Sequence, residues 1–210
     1  MADTFSGFSP EAFTFFRQLA RNNNRDWFQA HRETYDLACR EPMKRLIAAL
    51  GADPARTKIT RINRDMRFAR GRDPYRTHIA AGVGGRYLSL SADGLYIGAG
   101  LYRPEGPTLE RLRNAIDADA SGRALRKIVT SLQRKGYRVD THERLAKPPR
   151  GYRADHPRAD FLRMKDIHAG KTLTPNDLRN AAAVGRIRRA MADAKPLVDW
   201  LRAHVRSSDT

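Results

Sequence analysis

The sequence predicts an α+β fold in which an antiparallel sheet is flanked by N-terminal and C-terminal helices. Apolar residues recur at helical spacing towards both ends of the 210-residue chain. Alternating apolar residues on either side of Asp93-Gly94 indicate a hairpin in the middle. The order of helices, strands and helices also differs from a regular βαβ repeat. A chain of this length can bury its own core, so we expect one domain over residues 1–210.

The first helical region is predicted over residues 9–50. Ser9 is expected to cap a helix that begins at Pro10 and ends near Ala20, because proline suits the first helical position. Three consecutive asparagines then favour a turn. Further apolar residues at helical spacing predict a second helix that ends before Pro42, and Pro42 is expected to begin a third.

The sheet is predicted over residues 57–102. Residues 58–62 alternate and indicate a strand, and residues 86–101 predict the hairpin. Asp93-Gly94 supplies the positive-φ turn of that hairpin. One face of its second strand carries glycines, so we expect either a helix or a ligand to pack closely there.

The C-terminal half is predicted to be helical over 108–135, rich in loops over 137–173 and helical again over 175–206. Within the loop-rich part, residues 137–141 indicate a short strand. Pro196 is expected to kink or restart the last helix.

The composition points to an anionic partner. The chain carries 40 Lys+Arg against 23 Asp+Glu, which gives a net charge of +17. Such a field attracts phosphorylated small molecules, nucleic acids and anionic membranes alike. The single cysteine, Cys39, precludes an internal disulfide and fits a reducing compartment. We find no secretory signal and no apolar run near the ~20 residues that span a bilayer. We therefore expect a cytoplasmic protein with no membrane partner.

Arginines are densest over residues 61–78, RINRDMRFARGRDPYRTH. A bend near Asn63 would bring several guanidinium groups together, and convergent guanidinium groups bind phosphate or carboxylate bidentately. The alternative is a charged edge strand whose arginines pair with surface acids. The predicted ligand-binding arginines of this stretch are Arg61, Arg64, Arg67, Arg72 and Arg76.

The same stretch contains candidate catalytic groups. Asp65 is expected either to hold one guanidinium in place or to act as a base. Tyr75 and His78 are candidates for donating or relaying protons.

The stretch resembles the hallmark of an uncharacterised bacterial family, a domain of unknown function that also occurs in some fungi. The family pattern has an arginine, two residues, Arg-Asp-x-Arg-Phe, a short turn and then Pro-Tyr. Gly71 departs from it, because the family usually has an acidic residue there. Similar blocks extend the resemblance over most of residues 5–173: NNNRDWFQAHRETY, YLSLSADGLYIGAGLYRP and KPPRGYRADHPRADFLRMK. The resemblance implies no known activity. The motif positions are Arg61, Arg64, Asp65, Arg67, Phe68, Pro74 and Tyr75.

Residues 149–158 form a second candidate segment. Asp155 and His156 are neighbours and point apart in an extended chain, so they cannot form a dyad with each other. His156 remains a candidate catalytic group that could meet the arginine stretch in the fold, with Tyr152 and Arg158 as ligand-binding residues. The alternative is a loop pinned by Tyr152 with a capping aspartate.

The sequence predicts no metal site and no cofactor, because the six histidines lack HxxxH or HExxH spacing. We expect the protein to bind an anionic small molecule in an arginine-rich pocket, whether or not it is an enzyme. Two alternatives remain open: a nucleic-acid-binding protein that uses its basic surface, and a non-catalytic interaction module.

Overall fold

A computed structural model of the protein describes residues 4–67, 71 and 73–205. Within these residues, five strands form one antiparallel sheet, which confirms the predicted α+β class. The strands are β1 (His78–Val83), β2 (Arg86–Ser91), β3 (Gly94–Leu101), β4 (Arg138–Asp140) and β5 (Ile167–Leu173). Their order in the sheet is β1-β2-β3-β5-β4.

Helices precede and follow these strands along the chain, as the sequence predicts. None of the helices in the described ranges is long and apolar enough to cross a membrane. The α-helices are α1 (Pro10–Arg21), α2 (Arg25–Ala30), α3 (Arg32–Tyr35), α4 (Glu41–Ala49), α5 (Gly106–Asp117), α6 (Asp119–Arg134), α7 (Ala159–Leu162), α8 (Ala182–Asp193) and α9 (Lys195–His204). A π-helical turn spans Asp36–Arg40, and a 3-10 turn spans Pro175–Leu178.

The chain divides into two compact units. The first unit comprises Met1–Ile97 and Thr172–Met191, and the second comprises Gly98–Lys171 and Ala192–Thr210.

In the first unit, α1 begins at Pro10 as predicted. Ser9 occupies the position before it, but its side chain makes no capping hydrogen bond, contrary to the prediction. Phe8 and Phe13 are both buried, so the start of the helix is held by packing. The next helix, α2, does have a side-chain cap, because Oδ1 of Asn24 accepts the backbone N–H of Trp27 at 2.9 Å.

The predicted break before Pro42 is replaced by continuous helical structure. The π-helical turn leads directly into α4, and Pro42 lies in the first turn of α4. A proline has no N–H to donate, and its ring crowds the carbonyl four residues earlier, at Ala38. A wider turn relieves this crowding without ending the helix.

The strand predicted over residues 58–62 is reduced to isolated bridges. The backbone N–H of Thr60 donates to the carbonyl of Ala80 at 2.8 Å. The return bond comes from Ala80 N–H to the Thr60 side-chain oxygen at 2.9 Å, so a hydroxyl replaces the backbone acceptor that a regular ladder needs. The bridges pair Ile59 with Ala81 and Asn63 with Tyr75.

The predicted hairpin is confirmed, and β2 and β3 are joined by a turn that ends at Gly94, with φ of 122°. The close neighbour of Gly100, on the glycine face of β3, is strand β5, where the sequence predicts a helix or a ligand. A Cβ on Gly100 would lie 2.3 Å from the carbonyl oxygen of Ile167 and 2.6 Å from Cα of His168. This neighbour, β5, lies inside the segment that the sequence predicts to be rich in loops.

Candidate functional site

A cleft of about 660 Å³ opens in the first unit, between the helices α2 to α4 and the segment 54–63. Aromatic side chains of Phe28 and Tyr35 form part of its wall. Among the described lining residues, Asp36 is the only acid, whereas four residues have basic side chains. These basic residues are Arg32, Arg40, Lys44 and Arg61.

The acids near the cleft neutralise only part of this charge. Asp36 lies 3.9 Å from Nε of Arg32 and 3.7 Å from Nη1 of Arg40, so one carboxylate is shared by two guanidinium groups. Lys44 pairs with Glu41 at 2.6 Å. Within the described ranges, no acid pairs with Arg61. The lining therefore keeps an excess of positive charge.

A second cationic group lies along the arginine stretch of the same unit. Arg64 donates its backbone N–H to Pro74, and Arg76 donates its own to Ile62, both at 2.8 Å. This pairing places the Arg64 and Arg76 side chains on one face of the isolated bridge between Asn63 and Tyr75. Burial lowers the pKa of His78, and the charges of Arg76 and Arg64 lower it further. The structure thus brings three of the basic groups of the stretch together.

Asp65 and Arg67 form an exposed pair. Nε and Nη2 of Arg67 donate to the two carboxylate oxygens at 3.0 and 2.7 Å. The Arg67 backbone N–H donates to Oδ1 at 3.1 Å. These bonds lower the pKa of Asp65. A carboxylate with a lowered pKa is a poor general base, so the geometry favours the role of holding a guanidinium over the catalytic role. Phe68 and Arg72 lie outside the described residues.

Tyr75 packs in the core. Its side chain is 4% exposed, and its ring stacks on Phe28 with centroids 4.2 Å apart. Asn23 accepts the Tyr75 backbone N–H at 2.9 Å and donates to its carbonyl at 3.0 Å. Because Phe28 lines the cleft, Tyr75 supports the cleft wall from behind. This burial argues for a positioning role in place of the predicted catalytic one.

A family model described as a conserved hypothetical protein family, DUF2461, matches residues 11–200. The chain belongs to the DUF2461 family. The match confirms the resemblance to an uncharacterised family and covers the cleft and the arginine stretch alike. No curated protein and no solved structure matches the chain significantly.

In this DUF2461 protein the second candidate segment packs on helices of the second unit. Arg158 is 6% exposed, and its Nε and Nη2 donate to the carbonyls of Ile116 and Asp117 at 2.6 and 2.5 Å. Its Nη1 donates to Asp119 at 3.2 Å. These carbonyls end α5 and would otherwise lack partners. All of its guanidinium nitrogens are thus engaged, which argues for a structural role instead of ligand binding.

His156 is held from both sides of its ring. Nε2 lies 3.1 Å from the Asp117 carboxylate, and Nδ1 accepts the backbone N–H of Arg158 at 3.1 Å. Neither nitrogen is free to take a proton from a ligand, so this arrangement does not favour the predicted catalytic role. The Tyr152 hydroxyl lies 3.4 Å from Oδ1 of Asn114, and Asp155 pairs with Arg153. The loop reading of this segment fits these contacts better.

The DUF2461 chain also holds a cluster that the sequence does not predict. His142, Asp166 and His168 each offer a ligand atom, and these atoms lie within 4.8 Å of one another. Asp166 and His168 are two residues apart at the start of β5, whereas His142 lies 24 positions earlier. No local spacing rule joins such residues, because the antiparallel pairing of β4 with β5 brings them together. The one available signal in the sequence is that Asp166 and His168 are separated by one residue, which places them on the same face of a strand.

Proposed function

We propose that the protein binds a small phosphate- or carboxylate-bearing molecule in the cleft of the first unit. The observation that carries this proposal is Arg61, a cleft residue with no acidic partner in the described part of the chain. Arg32, Arg40 and Lys44 reinforce it from the facing helices. A volume of about 660 Å³ lies within the range of small-molecule sites.

The charges of the lining favour an anion over a neutral ligand. Guanidinium groups present paired N–H donors that match the oxygens of a phosphate or a carboxylate. A bound anion would offset the excess charge that Asp36 leaves on Arg32 and Arg40. The small exposed parts of Phe28 and Tyr35 in the lining suit an apolar part of the same ligand.

A titration of the protein with phenyl phosphate, followed by calorimetry, tests this proposal. We expect saturable binding of one molecule per chain. Arg61→Ala should weaken it by about 10- to 100-fold, because it removes charge-assisted hydrogen bonds. Arg56→Ala is the matched control, since Arg56 lies on a neighbouring exposed turn beside Asp53 and does not line the cleft.

Two outcomes would contradict the proposal. One is the absence of saturable binding of phenyl phosphate and of inorganic phosphate. The other is an equal effect of Arg61→Ala and Arg56→Ala, which would assign the affinity to the general charge of the surface.

Nucleic-acid binding is the second candidate function, and the net charge of +17 favours it. Binding of that kind falls steeply with salt, by about 0.9 in log K per log unit of salt for each phosphate neutralised on duplex DNA. It would also respond to the loss of many surface arginines rather than of Arg61 alone. A variant of the cleft that loses stability without changing any ligand affinity would favour the interaction module instead.

A further inference from the structure

We propose that His142, Asp166 and His168 form a binding site for a divalent first-row transition-metal ion in the second unit. This site would bind a cation, and it is separate from the cleft of the first unit that is proposed to bind an anion. It reverses the prediction from histidine spacing that the chain holds no metal.

The strand register explains why these three residues meet. Asp140 on β4 pairs with His168 on β5. The same antiparallel register, continued two residues further, places His142 opposite Asp166. Asp166 and His168 are separated by one residue, so their side chains lie on the same face of the strand. All three side chains therefore converge on one side of the β4–β5 pair.

The distances between the polar atoms fit an ion. Nδ1 of His142 lies 3.1 Å from one Asp166 oxygen, and Nδ1 of His168 lies 3.6 Å from the other. In a tetrahedral zinc site with bonds of 2.0–2.1 Å, neighbouring ligand atoms are about 3.3 Å apart. The ligand atoms of the three residues all lie within 4.8 Å of one another, and the two imidazole rings have centroids 4.4 Å apart.

One histidine nitrogen of the cluster is buried without a hydrogen-bond partner in the described part of the chain. Nδ1 of His168 is shielded from solvent and has no hydrogen-bond partner among the described residues, because the nearest Asp166 oxygen lies 3.6 Å away. A buried polar atom without a partner is costly. A metal ion held between the imidazole and the carboxylate would satisfy it.

The surroundings hold the ligands in place. Asp166 is 1% exposed, and its Oδ1 accepts the backbone N–H of His142 at 2.9 Å. The backbone N–H of Asp166 donates to the Thr141 hydroxyl at 3.3 Å. Gly100 leaves no room between β3 and His168, since a Cβ there would lie 2.8 Å from the His168 Cβ. Such supporting contacts orient the ligands of metal sites.

The ligand set selects the class of metal. Two imidazoles and one carboxylate suit zinc, iron(II), cobalt(II) or nickel(II), whereas magnesium and calcium prefer sites built from oxygen alone. Three protein ligands leave at least one coordination position open. Solvent can reach that position, because the His142 side chain is 38% exposed.

The test uses the full chain without a histidine tag, stripped with a chelator and titrated with Zn²⁺. We expect one ion per chain, and we expect His142→Ala and His168→Ala each to weaken binding by at least about 10-fold. His204→Ala, at the exposed end of α9, is the control and should bind as the wild type does. Circular dichroism melts of each variant without metal show whether it is folded.

A measurement on the wild-type chain keeps the test independent of variants that fail to fold. Co²⁺ added to the stripped protein should give visible absorption bands of a low-symmetry nitrogen and oxygen site. The thiolate band that coordination by Cys39 would produce should be absent. The proposal is overturned if the wild type binds no stoichiometric Zn²⁺. It is also overturned if the double variant of His142 and His168 still binds it, or if Co²⁺ gives only the spectrum of the hydrated ion.

Discussion

At the scale of single residues, the arginines of this protein lie in two opposite environments. Arg158 is buried and gives its guanidinium donors to the end of α5 and to Asp119. Arg61 is exposed in a cleft and has no acidic partner in the described chain. The sequence predicts both as ligand-binding residues, because type and local density of arginine do not reveal the acceptors that the fold supplies.

Replacing Arg158 tests its structural role. Arg158→Met keeps the length of the side chain but leaves the Ile116 and Asp117 carbonyls without donors inside the fold. We expect the free energy of unfolding to fall by about 2–4 kcal/mol, measured by urea denaturation. Arg153→Met, which removes an exposed arginine paired with Asp155, should leave the stability nearly unchanged. Equal losses in the two variants would contradict this role.

His78 predicts a dependence of stability on pH. Burial and two neighbouring arginines lower its pKa in the folded state, whereas the unfolded chain keeps a value of about 6.5. The unfolded state therefore binds more protons as the pH falls through that value, and the folded state loses stability towards acid.

Urea denaturation from about pH 7.5 to about 5.5 checks this dependence. We expect His78→Gln to reduce the loss of stability over that interval, and His204→Gln to leave it as in the wild type. If His78→Gln had the wild-type pH dependence, the lowered pKa of His78 would not contribute.

At the scale of elements, the sequence predicts the helix starts and turns that depend on neighbouring residues. The start of α1 at Pro10 and the glycine turn before β3 follow from proline and glycine chemistry, and the sequence places them correctly. Strand β5 is missed because Gly170 and polar residues interrupt its alternation, and its partner strands, not its own sequence, stabilise it. Residues 58–62 do alternate, but alternation does not reveal that the Thr60 hydroxyl takes the place of a backbone acceptor in the pairing with Ala80.

Gly100 offers a test of the close contact between β3 and β5. In Gly100→Ala the new methyl group would lie 2.3 Å from the carbonyl oxygen of Ile167, so the strands must separate. We expect the free energy of unfolding to fall by about 1–3 kcal/mol. Gly82→Ala is the matched control, because a Cβ at Gly82 meets nothing within 4 Å. A Gly100→Ala protein as stable as the control would contradict the contact.

At the scale of the whole molecule, the net charge of +17 predicts an anionic partner but not the place where it binds. The sequence directs attention to residues 61–78, and Arg61 does line the cleft. The other basic residues of the lining, Arg32, Arg40 and Lys44, come from the N-terminal helices. Only the fold brings these distant parts of the chain to one surface, which is why the sequence does not predict them.

A crystal structure of the protein soaked with tungstate, a heavy analogue of phosphate, shows whether an anion binds in the cleft of the first unit. The anomalous signal of tungsten locates the ion without assumptions about its ligands. The proposed function predicts a peak within hydrogen-bonding distance of Arg61 and of at least one of Arg32, Arg40 and Lys44. A well-diffracting crystal with tungstate bound elsewhere and none in the cleft would contradict it.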